Sequence, residues 1–152
     1  MCGDHARQSC GGALAVLSPP LRNIRFMPPE MTGRLTFHDC GKGSSVATHV
    51  TFTPDENGAS NSVTGLDSCV VAIHETGDLT KSAIISPFLY KFNMTQGRPI
   101  QQEDEQQERS IEVLLSHPMK IEVGGDGIIG RRVTLWSQHA ADPIAEGIIG
   151  YN

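Results

Sequence analysis

The sequence predicts an all-β domain, folded as an antiparallel Greek-key barrel or sandwich. Sixteen glycines and nine prolines indicate many turns, and therefore many short strands. Several segments alternate polar with apolar residues, as half-buried antiparallel strands do. No segment sustains the 3.6-residue period of an amphipathic helix, so helices do not account for the apolar residues. Seven or eight short strands divided by turn residues are typical of this architecture.

The chain divides into a tail and a barrel. Residues 1–22 are predicted to be a weakly structured N-terminal tail, because glycine, serine and proline punctuate them, and residues 23–152 form the predicted barrel domain. His117-Pro118 is predicted to be a turn, and Gln101–Arg109 a polar, solvated loop. The predicted strands are Asn23–Met27, Arg34–His38, Val46–Thr53, Val70–Ile73, Ile111–Leu115, Met119–Val123, Arg132–Trp136 and Ile144–Tyr151.

Composition excludes several classes of function. The net charge is −5 and charged residues make up 19% of the chain, so no basic surface recommends a nucleic-acid partner. No apolar run approaches the roughly 20 residues that a membrane-spanning helix needs. Neither nucleic acid nor a membrane is therefore expected as a partner. The four cysteines match no metal-binding knuckle, and the first residues lack the basic segment of a secretory signal.

One predicted strand ends in a histidine. Val70–Ile73 is a short, mostly β-branched apolar run that favours a buried strand, and His74 follows it directly. Gly77-Asp78 then supplies a turn out of the sheet. Two interpretations stay open on these residues alone. His74 is either a metal ligand presented at a strand end or a partly buried, hydrogen-bonded histidine.

The residues around this histidine resemble a motif of a known protein family. His-Glu-Thr-Gly-Asp-Leu-Thr (residues 74–80) resembles the copper-site strand and turn of the copper/zinc superoxide dismutases, which read His-x-His-Glu-Phe-Gly-Asp. Gly127–Arg131 and Ile144–Gly150 resemble two further segments of that family, in the family's order. The resemblance covers roughly Gly33 to Asn152. It implies a Greek-key barrel and, in the family, superoxide dismutation at a copper ion beside a zinc ion.

Carried over residue by residue, the resemblance implies that the metal site is lost. His74 keeps one copper-ligand position. The other ligand positions that can be placed fall on Ala72, Lys91 (or Leu89, two residues earlier), Gln96 and Trp136. The remaining zinc ligands have no counterpart between Gln101 and Glu112. The arginine that meets the anion falls on Pro143, and the two cysteines of the family's disulfide fall near Ala83 and on Glu146.

We therefore expect no catalytic residue and no copper or zinc cofactor. His38, His49, His117 and His139 show no ligand spacing in the sequence. The predicted function is that of a non-catalytic binding or decoy homologue of superoxide dismutase, and ligand-poor chains of this kind resemble the dismutase-like proteins of poxviruses. Two alternatives stay open: a dismutase with a weak or rebuilt copper site that uses His74, and a structural β-domain of a larger assembly.

The resemblance also implies a pairing surface. Family members form two-fold dimers, and the corresponding residues here are Gly77, Ile129, Gly130, Ile149, Gly150 and Tyr151. The expected partner is a second copy, or a superoxide dismutase or its copper chaperone in a mixed dimer. The alternative is that these residues only serve the turns and core of the barrel itself. The expected location is the cytoplasm, or the virion if the protein is viral.

Overall fold

A computed structural model describes residues 11–20, 32–39, 45–55, 68–99, 110–138 and 141–152. The predicted strand Asn23–Met27 and the predicted loop Gln101–Arg109 lie outside these residues. Among the described residues, nine strands form one antiparallel sheet that curls into a nearly closed barrel, so the all-β prediction is confirmed. The strands are β1 (Ala13–Leu17), β2 (Gly33–His38), β3 (Val46–Pro54), β4 (Cys69–His74), β5 (Phe88–Asn93), β6 (Arg98–Pro99), β7 (Ile111–Lys120), β8 (Arg132–Ser137) and β9 (Ala145–Tyr151).

The strand order is that of a barrel with crossover connections. Along the sheet the order is β5-β4-β8-β9-β1-β2-β3-β7-β6. Strands β3 and β4 follow one another in the chain, yet β8, β9, β1 and β2 lie between them in the sheet. The connection from β7 to β8 makes a similar crossing. Such long returns between hairpin-connected strands are the mark of Greek-key topology.

A short 3-10 helix, Met94–Gln96, joins the two edge strands of the sheet. It follows β5 and precedes β6, and the side chain of Met94 is fully buried in the core. Its backbone closes with a hydrogen bond from the Gly97 amide to the Met94 carbonyl at 2.9 Å. None of the described helices is long and apolar enough to cross a membrane.

Alternation along each strand decides which residues fill the barrel. Cys69, Val71 and Ile73 of β4 point into the core, as Val133 and Leu135 of β8 do. Because successive side chains of a strand point to opposite faces, the residues between them lie on the outer face of the same wall. That face carries the candidate site described below.

The prediction of a weakly structured tail over residues 1–22 is wrong for β1. Ala13–Leu17 pairs with β2 on one side and with β9 on the other, which makes it a central strand. Ala13, Ala15 and Leu17 are buried and Val16 is exposed. The flanking glycines and prolines indicated a tail, but the five residues between them are all apolar and alternate in burial. Burial of its three inward side chains between two paired neighbours holds the strand in place.

The predicted turn at His117-Pro118 is also wrong, because both residues lie inside β7. The pairing of β3 with β7 shifts between Ala47↔Met119 and His49↔Leu114, so residues 115–118 face a single residue of β3. This irregularity is a bulge, where a strand can carry a proline because no ladder hydrogen bond is needed from it. The two predicted strands on either side of His117-Pro118 are therefore largely one strand.

The central position of β1 gives the first prediction. Ala15→Asp should lower the free energy of unfolding by about 3 kcal/mol or more, because it buries a carboxylate without a partner. Val16→Asp, one residue along and 59% exposed, should change it by no more than about 1 kcal/mol. Urea denaturation at low protein concentration measures both. Equal effects of the two substitutions would contradict the placement of β1.

Candidate functional site

The positions that the resemblance assigns to copper meet on one outer face. Ala72 of β4 lies opposite Lys91 of β5 and opposite Thr134 of β8. His74 follows two residues along β4, on the same face, and Trp136 lies opposite Val70. Residues from three separate parts of the chain therefore converge on the end of β4. The sequence could name these positions, but only the sheet register brings them together.

Aromatic rings fill the space next to His74. The ring of Phe88 lies 4.9 Å from that of His74, and the Trp136 ring meets Phe88 edge-on at 6.5 Å. The ammonium group of Lys91 lies 3.9 Å from the centre of the Phe88 ring, which is cation–π geometry. The side chain of Lys91 therefore reaches the site, but its ammonium group lies over the Phe88 ring. Leu89, the other candidate for this ligand position, is half-buried on β5.

His74 is fully buried, and both of its ring nitrogens have protein partners. Nδ1 lies 3.2 Å from the carbonyl oxygen of Ser86, and Nε2 lies 2.8 Å from the hydroxyl of Thr134. A carbonyl oxygen only accepts, so Nδ1 carries the proton and donates it. Nε2 is then the acceptor, and the Thr134 hydroxyl donates to it. Trp136 Nε1–H donates in turn to that hydroxyl at 2.7 Å, which completes a one-way chain from Trp136 to Ser86.

This environment keeps the imidazole of His74 neutral. Burial is the main cause that lowers its pKa from the ordinary value of 6.5. The hydrogen bond to Ser86 opposes that effect, whereas the positive charge of Arg132 adds to it. A neutral ring with one donor and one acceptor matches the two partners that the fold supplies. His74 therefore fits the second interpretation of the sequence, a buried and hydrogen-bonded histidine.

The residues at this face do not fit a copper or zinc ion. Ala72 offers only a methyl group, and Trp136 offers an indole N–H that can donate but cannot bind a metal. The lone pair of His74 already accepts from Thr134. Throughout the part of the chain that the structure describes, no three His, Cys, Asp or Glu side chains stand at metal-binding spacing. The backbone of Gln96 lies in the 3-10 helix, and the segment 101–109, compared with the zinc loop, lies outside the described residues.

A buried ion pair fastens the loop that covers His74. The carboxylate of Glu146 accepts from Nε and Nη2 of Arg132, and both side chains are more than nine-tenths buried. Arg132 Nη1 donates to the Lys81 carbonyl at 2.7 Å and to the Asp78 carbonyl at 3.4 Å. Glu146 is one of the positions where the resemblance implies a disulfide cysteine. An ion pair thus joins β9 and β8 to the loop 75–87 without a covalent bond.

Pro143, at the position of the family's anion-binding arginine, is buried beside this loop. It lines a cleft of about 320 Å³ together with Ala83, Arg132 and Glu146. The guanidinium of Arg132 donates to Glu146 and to backbone carbonyls of the loop. Its donors are therefore already engaged and are not directed at an anion in this cleft. Because this position holds a proline, it lacks the positively charged side chain that the resemblance would require here.

The predicted interface residues fall into two groups. Ile129 and Ile149 are buried in the hydrophobic core, so they serve the barrel itself, which is the alternative given for them above. The remaining four lie wholly or partly at the surface; they are Gly77, Gly130, Gly150 and Tyr151. A Cβ at Gly77 would collide with the carbonyl oxygen of Gly130, so the two turns touch backbone to backbone.

A second polar cluster escaped the sequence analysis. His38 of β2 pairs directly with His49 of β3, and both rings lie near the carboxylate of Glu112 on β7. Ten residues lie between the two histidines in the sequence, so no ligand spacing is visible there. The signal that could have found them is alternation, because each histidine falls on the polar side of its strand. The register that joins the two strands is a property of the hairpin, which the sequence leaves open.

The comparisons with protein families and curated proteins identified no relative of this chain. Neither the scan against protein-family models nor the search of curated proteins found a match. The family resemblance therefore rests on the residues quoted above. An antiparallel barrel by itself hosts many unrelated functions and identifies no family.

The buried state of His74 gives the second prediction. The unfolded chain takes up a proton near pH 6.5, whereas the lowered pKa of folded His74 keeps it neutral to lower pH. Its contribution to stability is therefore complete above pH 6.5 and is lost as the pH falls, by at most about 1.4 kcal/mol per pH unit. Urea denaturation between pH 7.5 and 5 should show a smaller acid loss in His74→Gln than in the wild type. His117→Gln, an exposed control, should keep the wild-type dependence; equal acid losses in all three would contradict this account of His74.

Proposed function

We propose that this protein is a non-catalytic homologue of the copper/zinc superoxide dismutases, whose barrel serves as a binding or decoy module. Two kinds of observation support the proposal. The family-like segments fall at the end of β4, in the turns that follow β4 and precede β8, and on β9, in an antiparallel barrel with crossover connections. The positions assigned to copper converge in space although, apart from His74, they hold residues that do not serve as copper ligands.

The observation that carries the proposal is the hydrogen bonding of His74. A dismutase needs an imidazole lone pair directed at a redox-active metal. Here the lone pair of His74 accepts from Thr134, whose hydroxyl also accepts from Trp136, and all of these groups are held by neighbouring strands. Copper would have to displace this chain without gaining a second imidazole from Ala72 or Trp136. The site is better suited to supporting the covering loop than to redox chemistry.

An exposed apolar surface supports the binding role. Leu14, Val16, Ile148 and Gly150 share the outer face of β1 and β9, and the register places Val16 opposite Ile148. Val16 is 59% exposed and Ile148 38% exposed, an arrangement that favours burial against a partner. The turns with Gly77 and Gly130 adjoin this face, since a Cβ at Gly77 would lie 3.6 Å from Ile148 Cδ1. We propose that this surface pairs with a second copy, or with a superoxide dismutase or its copper chaperone.

Arg131 stiffens the edge of that surface. Its guanidinium donates to the carbonyls of Glu75, Gly125 and Gly127, which belong to two different turns. The amide of Arg132 also donates to the Thr76 carbonyl at 3.0 Å. Turns tied together in this way lose little conformational freedom when a partner binds, which favours association.

The third prediction concerns activity. After dialysis against copper and zinc, the wild-type protein should consume superoxide no faster than buffer with the same metal content, because the His74 lone pair is engaged. His74→Gln should give the same rate, since the proposal assigns no catalytic role to the histidine. A superoxide-consumption assay measures both, with an active copper/zinc dismutase as the positive control. Activity that follows the protein through purification and disappears in His74→Gln would overturn the proposal.

The fourth prediction concerns pairing. Sedimentation should show the wild type as a dimer at tens of micromolar, or as a mixed dimer once an active dismutase or its copper chaperone is added. Ile148→Glu should weaken that association by at least about thirtyfold, since it places a charge in the middle of an apolar contact. Leu114→Glu, at an exposed position on β7, is the matched control and should leave association unchanged.

Ile148 is a better position than Ile129 for testing this surface, because Ile129 is buried and a glutamate there would disrupt the core. A wild type that stays monomeric and ignores both candidate partners would remove the binding surface from the proposal. Equal weakening by Ile148→Glu and Leu114→Glu would do the same, because the effect would then not be specific to the surface.

A further inference from the structure

The cleft beside the loop 75–87 has the size and lining of a small-molecule site. Its volume of about 320 Å³ is at the lower end of the range that ligand pockets occupy. Leu79 and Ala83 of the loop supply apolar surface, as Pro143 does, and Glu146 of β9 supplies a carboxylate. Ligand pockets typically combine an apolar wall with a few placed polar groups. The chemistry of the ligand therefore depends on what Glu146 presents to the cleft.

Arg132 uses only one oxygen of the Glu146 carboxylate. Both hydrogen bonds from the guanidinium reach Oε2. Within the described residues no donor bonds to Oε1, and no buried side-chain nitrogen or oxygen there lacks a partner. Oε1 must therefore meet solvent, although the Glu146 side chain is only 9% exposed. Because Glu146 lines the cleft, the geometry leaves Oε1 as an acceptor that faces into it.

The charges around the cleft favour a cation over an anion. Arg132 already donates to Glu146 and to loop carbonyls, so its guanidinium is not available to an anion. Lys81, which also lines the cleft, lies 4.0 Å from the Asp78 carboxylate, and its side chain is 67% exposed, so its charge is well solvated. Asp142 adds a second carboxylate to the lining. A carboxylate has lone pairs on both oxygens, so an ammonium group can donate to Oε1 while Arg132 keeps Oε2.

We propose that this cleft binds a small primary amine, with its ammonium group on Oε1 of Glu146 and its hydrocarbon body against Leu79, Ala83 and Pro143. Aliphatic amines are charged at neutral pH, because their pKa is about 10. A hydrogen bond between an ammonium group and a carboxylate is roughly twice as strong as one between neutral groups. A neutral alcohol of the same shape would make the same apolar contacts without that gain. The cleft should therefore select the amine.

This site is independent of the proposed function. It uses the loop 75–87 and the inner part of the ion pair, and it uses neither the hydrogen bonds of His74 nor the outer face of β1 and β9. Failure of amine binding would therefore leave the non-catalytic pairing module unchanged. Dismutase activity at His74, or a wild type that stays monomeric, would likewise leave the amine proposal unchanged.

The fifth prediction is selective binding of an amine in this cleft. Cyclohexylamine, cyclohexanol and cyclohexanecarboxylate are titrated separately into the full chain near neutral pH, and the backbone amide resonances are followed. The amine should bind at least about tenfold more tightly than the alcohol, because only the amine offers a charged donor to Glu146. The carboxylate should not bind. The resonances that move should be those of residues 79–83 and of Glu146, which line the cleft.

Two substitutions test the two halves of the site. Leu79→Lys should weaken amine binding at least about tenfold, because the new ammonium group repels the ligand and competes for the carboxylate. Leu114→Lys, at an exposed leucine of β7, is the matched control and should leave binding unchanged. Glu146→Gln should abolish the preference for the amine over the alcohol. This variant also breaks the ion pair with Arg132, so circular dichroism must show that it folds; if it does not, Leu79→Lys alone decides.

Several outcomes would overturn the proposal. The amine may fail to move the resonances of residues 79–83, or it may bind no more tightly than the alcohol. Tighter binding of the carboxylate would show that the cleft selects anions. Equal binding by Leu79→Lys and Leu114→Lys would place the ligand elsewhere on the chain. A folded Glu146→Gln that keeps the preference for the amine would remove the carboxylate from the site.

Discussion

The two-residue alternation along the barrel wall is the constraint on which the rest of the structure depends. Once Val71, Ile73 and their neighbours fill the core, the intervening residues of β4 must point outward. Ala72 and His74 therefore share a face with Lys91 and Thr134 whatever chemistry they carry. The barrel preserves the place of a site independently of its function. Positions that share a face therefore stay adjacent whichever residues occupy them.

An electrostatic interaction, the ion pair of Arg132 with Glu146, holds the loop 75–87 that covers His74. Arg132 and Glu146 are both buried, and removal of one partner from such a pair typically costs about 3–5 kcal/mol because a charge is left uncompensated. The same guanidinium reaches the carbonyls of Asp78 and Lys81, so the pair fixes the loop as well as the strands. With the loop in place, the Ser86 carbonyl meets Nδ1 of His74, and that contact decides which ring nitrogen donates. A buried ion pair thus sets the tautomer of a histidine that it does not touch.

Alternation, short apolar β-branched runs and turn residues were enough to predict the all-β fold and most strands. They failed at β1, a five-residue apolar run between glycines and prolines, and at Pro118, which lies in a bulge of β7 although proline usually interrupts a strand. The motifs that resemble those of the dismutase family led to His74 and its neighbours. They could not reveal the pairing of His38 with His49, since register depends on the hairpin as a whole and not on either strand alone.

The two histidine clusters differ in how their surroundings hold the imidazole rings. At His74 a hydroxyl faces Nε2 and donates to it, so the ring is satisfied within the protein and burial keeps it neutral. At His49 the Nδ1 atom lies 2.7 Å from the Thr48 hydroxyl, Nε2 lies 3.9 Å from a carboxylate oxygen of Glu112, and a fifth of the side chain is exposed. Both rings lie on outward faces of the barrel wall. Burial beneath the loop 75–87, and not the direction of the strand, is therefore what makes His74 a structural histidine.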